Sequence, residues 1–410
     1  MIMNRINRIL QINSVVNFGS TGRIVEEIGQ LVIQKGWNSY IAYGRYDRTS
    51  NSEIIKIGTE WDTNIHGLQS RLFDRHGLGS LNATIKLVEI IKGIQPDIIH
   101  LHNLHGYYLN IKFLFSYLAL SDIPVIWTFH DCWPITGHCV YFDFVKCERW
   151  KTECYSCPQK KSYPKSIFLD SSKANFLLKK ELFRSVKRMV IAPVSQWLAN
   201  IVRESFLKDY PIMVIRNGID LIAFSPQLDN DIIRKKYLIG NRFLILGVAA
   251  IWDERKGLKD FIMFSEKLPN DYVILLVGLN EKQIKGLPLN IIGITRTEKI
   301  LELTELYSAA DLYINPTWED NFPTTNLEAL ACGTPIATYR TGGSIEAISP
   351  ETGFIVEKGD IFGLLNIATK VKEKGKNSYS NACRERAVKY YSNKERFEEY
   401  IELYNNMIEK

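Results

Sequence analysis

The segment PTWEDNFPTTNLEALACGTP, residues 316–335, sets Glu319 and Asp320 before a short Pro/Thr stretch and Glu328 inside the apolar run that follows. Carboxylates there could accept hydrogen bonds from hydroxyl groups, while the unpaired N–H groups of a helix start favour phosphate oxygens. One reading is therefore a grip on a ligand rich in both. The other is local: Thr325 and Glu328 have capping-box spacing, which would put Glu328 in the first helical turn for the helix's own sake.

Two further groups of residues could do chemistry. Five of the seven histidines fall between residues 100 and 138. PDIIHLHNLHG and WTFHDCWP each carry an apolar strand pattern into histidine, which places His102, His105, His130 and the adjacent Asp131 at the carboxyl edge of a sheet. Cys139, Cys147, Cys154 and Cys157 follow in the spacing C-x7-C-x6-C-x2-C. In a reducing compartment four such thiols predict a closed, structural zinc site, and the alternative is a set of buried reduced cysteines.

The elements that must position these groups come in two series. RILQINS, SYIAYG, DIIHLH, PVIWTFH and MVIAPVS read as buried strands separated by helical patterns. Among the latter, Ile24, Ile28, Leu31 and Val32 share one face, and a second helix runs from Leu81 to Lys92. After VIRNGIDLIAFSP the pattern repeats with FLILGVAA, YVILLVG, LNIIGIT, DLYINP and PIATY. Alternating strands and helices argue parallel sheets. The predicted fold is α/β, two doubly wound Rossmann-like domains facing across a cleft. Residues 1–216 form the first, with a cysteine-rich insertion at 132–160; residues 217–385 form the second, and 386–410 a terminal helix returning toward the first.

Bulk properties limit the function. The chain has 410 residues, too many for one ordinary core, and its 46% hydrophobic and 23% charged content is that of a globular protein. The apolar run LILGVAAIW, residues 244–252, is far too short to cross a bilayer, and the N-terminus does not read as a signal peptide. A cytoplasmic protein with reduced cysteines is expected. Net charge is +6, but residues 146–188 alone carry twelve Lys/Arg against four Asp/Glu. With Phe176, Leu177, Leu178, Phe183 and Val186 among those charges, this stretch suggests peripheral contact with anionic lipid at the inner membrane face, or else a solvated helix packed on the core.

The order of strand, acid, seven residues, Glu328 and ALACGTP resembles the signature of retaining glycosyltransferases of family 4, which have the glycosyltransferase-B fold. The resemblance extends along nearly the whole chain, through GSTGRI at 19–24, VSQWL at 194–198, RNGID at 216–220, WDERKGLKDF at 252–261 and TGGSIEAI at 341–348. It implies that the second domain holds a UDP- or GDP-linked sugar. Asp320 would meet the transferred sugar and Glu328 the ribose, with Asn321, Phe322 and Thr324 around them and Glu319 a bystander. Lys256 and Arg255 would meet the diphosphate, with Gly342 and Gly343 in a second glycine turn and Gly19 and Gly22 in an N-terminal glycine loop. His130 would lie beside the reacting sugar, and His102, His105 and Asp131 would contact the acceptor. The catalytic set is then His130, Asp320 and Lys256, and no metal cofactor is required for catalysis.

The chain departs from the family in three places: Asp320 stands for the usual Glu, Pro323 for a frequent glycine, and Ile251 for the usual Arg. The triplet DND at 229–231 copies a metal-binding motif of the other glycosyltransferase fold but sits in a polar linker. The implied function is transfer of a sugar from a nucleotide-diphosphate sugar to a glycan hydroxyl, on a polyprenyl-diphosphate carrier, in bacterial surface polysaccharide synthesis. Alternatives are a sugar-nucleotide epimerase or phosphorylase of the same architecture and, more distantly, a basic zinc-containing nucleic-acid-binding protein. Contact with nucleic acid is not expected.

Overall fold

Short β-branched runs alternating with helices of 3.6-residue period close into two parallel sheets in the computed structural model of the protein, which describes residues 7–227 and 231–409. The first sheet comprises β1 (Arg8–Asn13), β2 (Asn38–Tyr43), β3 (Glu53–Lys56), β4 (Ile98–Leu101), β5 (Val125–Phe129) and β6 (Met189–Pro193). The second comprises β7 (Phe243–Val248), β8 (Tyr272–Val277), β9 (Ile291–Ile294), β10 (Leu312–Asn315), β11 (Ile336–Tyr339) and β12 (Gly353–Val356). The compact units are Met1–Arg216 with the segment from Phe397 onward, and Asn217–Arg396.

The two sheets have one topology. Their orders are β3-β2-β1-β4-β5-β6 and β12-β11-β10-β7-β8-β9, the second being the first read from the other edge. In each, the first and fourth strands are neighbours, with Ile9 opposite Ile98 and Leu312 opposite Ile245. The winding reverses there, and loops leaving the two strands on the carboxyl side diverge to leave a crevice. Every residue of β4, β5, β8 and β10 is buried, as strands covered on both faces require. The edge strands β3 and β12 went unread in the sequence because both are short and β3 is almost wholly exposed.

The expected helical face of Ile24, Ile28, Leu31 and Val32 is buried on the helix Gly19–Gln34. That helix begins at Gly19, whose φ of +65° makes it the turn into the helix, and Gly22 lies buried in its first turn. At the other end of the chain, residues 386–391 finish the helix Asn377–Tyr391, and a separate helix spans Asn393–Ile408. The latter carries Phe397, Tyr400, Ile401, Tyr404 and Met407 into the core of the first unit, against Ile9, Ile28, Ile98 and Ile126. Of the DND triplet, Asp229 and Asn230 lie outside the described residues. Among the described residues no helix is long and apolar enough to cross a membrane.

A buried polar chain fastens that last helix to the sheet. Thr128 donates its hydroxyl hydrogen to the Tyr400 hydroxyl (2.9 Å) and lies 2.7 Å from His100 Nε2. Its oxygen is thus the acceptor for an Nε2–H of His100, which leaves His100 Nδ1 to accept from the Tyr404 hydroxyl at 2.6 Å. Replacing Tyr404 by Phe strands that buried nitrogen. The substitution is expected to cost about 1–3 kcal/mol, measured as a lower urea midpoint with an unchanged slope; an unchanged midpoint would show that this bond contributes nothing to holding the helix.

Candidate functional site

In the second unit the chain leaves β10 at Asn315 into the acidic loop, beside the loop that follows β7. The two loops are locked by backbone. Trp318 N–H donates to Arg255 O (2.8 Å), Arg255 Nη1 donates to Glu319 O (2.9 Å), and the Thr317 hydroxyl donates to Glu319 O (3.1 Å). Gly257, with φ +78°, lies so close that a Cβ would sit 2.2 Å from Pro316 O. From the other side Gly343 N–H donates to Asp320 O (3.1 Å), and at Gly342, φ +47°, a Cβ would sit 1.9 Å from that same oxygen. Only glycine fits either place.

This clamp brings Lys256 Nζ and the Asp320 carboxylate into a salt bridge at the sheet's switch point, both side chains partly open to solvent. Glu319 is fully buried. Ile251, where the resemblance leads one to expect Arg, is exposed. Arg255 is committed at least in part to the loop backbone.

The helix Thr324–Ala331 starts one residue after Pro323, which is its N-cap and makes no side-chain capping bond. The capping box expected of Thr325 and Glu328 is therefore not formed, and Glu328 falls in the second turn rather than the first. Pro has no side-chain acceptor, and it moves Thr325 inside the helix. Buried Glu328 instead accepts from the Tyr307 hydroxyl at 2.9 Å. Burial, with the Glu328 charge beside it, raises the Tyr307 pKa well above its ordinary value, so that hydroxyl remains a donor. Asn326 takes over the fastening of the helix start: it accepts from Asn315 Nδ2 (2.9 Å) and donates to the Ser344 hydroxyl (3.0 Å). Asn321 and Phe322 are buried, Asn217 donates to Phe322 O (3.1 Å), and Thr324 is partly exposed.

In the first unit His130 follows β5 and stacks on His102, with ring centroids 5.4 Å apart and planes 19° from parallel. A sequence of hydrogen bonds fixes their tautomers. Gln11 donates its amide to Val25 O (2.9 Å), which turns its Oε1 toward His102 Nε2 (3.2 Å). His102 Nε2 must then be the donor, and its Nδ1 accepts from His130 Nε2 at 3.1 Å. Burial holds His102 well below the ordinary histidine pKa and takes His130 down to about 4, so both rings are neutral near pH 7. His105 Nε2 lies 2.6 Å from Asp131 Oδ2, and Asp131 Oδ1 accepts from Trp133 N–H (2.9 Å). Burial opposes ionisation of Asp131, but His105 and that N–H hold its carboxyl below the usual carboxylate range.

Sequence reading missed Gln11, Tyr307 and Asn326. A glutamine in the middle of the strand RILQINS was a readable signal, since a buried amide needs partners. Nothing in the sequence marks Tyr307.

Two other expectations changed. Of the apolar residues in the basic stretch, Phe176, Phe183 and Val186 are buried, Phe183 with ring centroids 4.4 Å from Phe115 and 4.8 Å from Trp127, so these three are core, while Leu178 is half-buried and Leu177 exposed. Cys139, Cys147, Cys154 and Cys157 line one cavity and are free thiols. Among the described residues no three His, Cys, Asp or Glu side chains form a metal-holding group, so the closed four-thiolate shell is not present as such.

Comparison with known proteins bears on the family and the fold. Residues 21–222 match the family model described as Glycosyltransferase Family 4, and residues 242–371 that described as Glycosyl transferases group 1. The chain is 24% identical to the putative colanic acid biosynthesis glycosyl transferase WcaC of Escherichia coli, over 97% of this chain and 100% of that one. It is 25% identical, over 50% of this chain and 57% of the relative, to an Escherichia coli enzyme named UDP-Gal:alpha-D-GlcNAc-diphosphoundecaprenol alpha-1,3-galactosyltransferase. Among solved structures, sucrose-phosphate synthase from Thermosynechococcus elongatus superimposes with a TM-score of 0.73 at 17% identity, covering 98% of this chain and 99% of that one. Anabaena HepE in complex with UDP-glucose gives 0.68 at 16% identity, covering 97% and 99%.

The clamp makes a structural prediction. Gly342→Ala should destabilise the second unit by more than the roughly 1–3 kcal/mol of a left-handed alanine alone, because its Cβ collides with Asp320 O. Gly93→Ala, whose Cβ meets open space in a helix, is the control. Thermal denaturation of both decides; equal melting temperatures would mean that the turn moves aside freely.

Proposed function

Since the chain belongs to glycosyltransferase family 4, we propose that it is a retaining enzyme moving a sugar from a UDP-sugar to a hydroxyl of a polyprenyl-diphosphate-linked glycan in bacterial surface polysaccharide synthesis. The observation that carries this is the Lys256–Asp320 pair at the switch point of the second sheet. In the free protein each side chain neutralises the other; a nucleotide sugar offers each a better partner. Its diphosphate would draw Lys256, and the hydroxyls of its sugar would hydrogen-bond to Asp320. Glu328, oriented by Tyr307, would accept from the ribose hydroxyls. A UDP-sugar is favoured over a GDP-sugar because HepE, a structural neighbour, is complexed with UDP-glucose; the lipid-linked acceptor follows the named substrate of the galactosyltransferase relative.

The reaction breaks the bond between the sugar's anomeric carbon and the β-phosphate oxygen, which leaves with the electron pair. The acceptor oxygen forms its bond on the same face, and its proton passes to the departing phosphate. Negative charge grows on that phosphate in the transition state. Lys256 and the N–H groups at the start of Thr324–Ala331 stabilise it there, and no divalent ion is needed for the step. By the family resemblance His130, neutral and locked in one tautomer, would have the sugar-orienting role, and His105 and Asp131 the acceptor-binding role. Asp320 is one methylene shorter than Glu, so it selects a sugar whose hydroxyl reaches further toward the protein.

A lipid-linked acceptor requires the enzyme to meet a membrane from the cytoplasmic side. Trp61, Ile65 and Leu68 share an exposed face of the helix Glu60–Phe73, with Trp61 78% exposed. Beside it run exposed Ile167, Phe168 and Leu169, held by Ile167 N–H on Arg71 O (2.7 Å). Arg71, Arg75, Lys161 and Lys165, all exposed, supply positive charge around this surface. Exposed Glu60 and Asp170 also border it, and apolar side chains with an excess of cations beside them fit an anionic bilayer.

The deciding assay measures UDP release from a panel of UDP-sugars with and without a polyprenyl-diphosphate-linked acceptor. Release only with acceptor is expected; acceptor-independent turnover would indicate an epimerase or hydrolase instead. Lys256→Ala and Asp320→Asn should each lower kcat about 10²–10³-fold, with folding unchanged by circular dichroism. Full activity in either variant would remove the pair from the mechanism. Sedimentation with vesicles containing anionic lipid tests the surface: Trp61→Glu with Phe168→Glu should abolish binding while leaving turnover of a water-soluble acceptor intact, and undiminished binding would refute it.

A further inference from the structure

The chain between β5 and the helix Ser172–Phe183 holds a buried imidazole with one nitrogen unpaired. His138 is 1% exposed, and its Nδ1 lies 2.5 Å from Asp74 Oδ1. Asp74, also buried, accepts from Ser171 N–H (2.8 Å) through its other oxygen. Facing a carboxylate, Nδ1 carries the hydrogen, and Nε2 keeps its lone pair. No hydrogen-bond partner meets that Nε2. An unpaired buried polar atom costs about 1–3 kcal/mol, so a site that retains one has a use for it. An imidazole pinned by a carboxylate through one nitrogen and bare at the other is how proteins orient histidine for a metal.

The cavity that His138 lines is the one lined by Cys139, Cys147, Cys154 and Cys157. Cys139 is within electrostatic reach of Cys157 and Cys154, and Cys154 of Cys157. Gly137 N–H already donates to Cys154 Sγ at 3.3 Å, the kind of contact that stabilises a thiolate. Buried Lys179 adds a cation: its ammonium donates to Trp133 O (2.8 Å) and Thr136 O (3.0 Å), within electrostatic reach of Cys139 and Cys154. The ammonium also lies 3.4 Å from the centre of the Trp133 ring, and Asp74 and Asp131 act on it together with the two cysteines.

We propose that this cavity binds one zinc ion through His138 Nε2 and the thiolates of Cys139, Cys154 and Cys157, with Cys147 outside the coordination shell. The spacing of the cysteines alone suggested a four-thiolate site; the unpaired imidazole changes the ligand set. Binding releases three thiol protons to solvent and leaves a net charge of −1 on the centre, which the Lys179 ammonium offsets. The protein side chains do not yet form a coordination shell among the described residues. The ion draws in Cys154 and Cys157, which are only partly buried. All four tetrahedral positions are filled by protein, so the metal is structural. Through Asp74 it ties the cysteine-bearing loop to the end of the helix Glu60–Phe73. Through the turn at Trp133, whose N–H serves Asp131, it steadies the His105–Asp131 pair.

The full-length protein, purified under reducing conditions without chelator, should contain about one zinc per chain by elemental analysis. Replacement by cobalt(II) should give a tetrahedral spectrum with thiolate charge-transfer intensity for three sulfurs, not four. His138→Gln and Cys157→Ser should lower zinc affinity at least tenfold, the lower end of what loss of a mere orienting partner costs, whereas Cys147→Ser should bind as the wild type does. A wild type that takes up neither zinc nor cobalt overturns the proposal, as does a disulfide among these cysteines, seen as a mass two units lower. A four-sulfur cobalt spectrum, with His138→Gln unaffected and Cys147→Ser impaired, overturns the ligand set. The wild-type spectrum decides the ligands even where a variant fails to fold. None of these outcomes depends on glycosyl transfer.

Discussion

Asp320 is held by its backbone before its side chain does anything. Its carbonyl oxygen is pressed against Gly342 and accepts from Gly343 N–H, while the start of the same loop is pressed against Gly257. A carboxylate on a free loop would lose conformational entropy on meeting each ligand. Here that loss has already occurred in folding, and Lys256 is delivered to the same point by the neighbouring loop. Parallel winding makes this arrangement available: the switch between β7 and β10 brings two loops distant in sequence side by side. The first sheet repeats the topology, and its switch between β1 and β4 carries the polar chain from Gln11 to His130.

That polar chain shows how a buried network sets chemistry from a distance. Val25 O orients the Gln11 amide, Gln11 sets the His102 tautomer, and His102 sets that of His130. Each bond is individually worth little net stability, but reversing one would leave a buried donor facing a donor. Burial also keeps the rings uncharged. His130 is thereby a fixed dipole rather than a titrating group near pH 7, which suits orienting a sugar hydroxyl more than exchanging protons with solvent.

The insertion between β5 and β6 separates two roles that composition alone confuses. Its many cations suggested one amphipathic membrane surface. In the fold, Phe176 and Phe183 turn inward, Lys179 is buried beside the cysteines, and the most extensive run of exposed apolar side chains nearby is Trp61, Ile65 and Leu68 with Ile167–Leu169. Charge density in a sequence window says how many cations there are, but not which face of a helix they share with apolar groups.

The sequence by itself determined the two parallel sheets, because strands buried on both faces must be continuous apolar runs and the helices between them must be one-sided. It also located the acidic loop, since Asp320 and Glu328 stand at a fixed interval after a strand end. Local turn chemistry misled it at Pro323, where a capping box of the right spacing was displaced by a proline that cannot accept a hydrogen bond. The edge strands β3 and β12 escaped notice because each has only four residues, and β3 is almost wholly exposed. Only the tertiary structure decided which glycines are obligatory, that Tyr307 orients Glu328, that Gln11 governs His130, and that His138 shares a cavity with the cysteines. Those relations join residues that are not neighbours in any local periodic pattern. They depend on distances of a few ångströms between side chains and backbone, which periodicity and spacing do not encode.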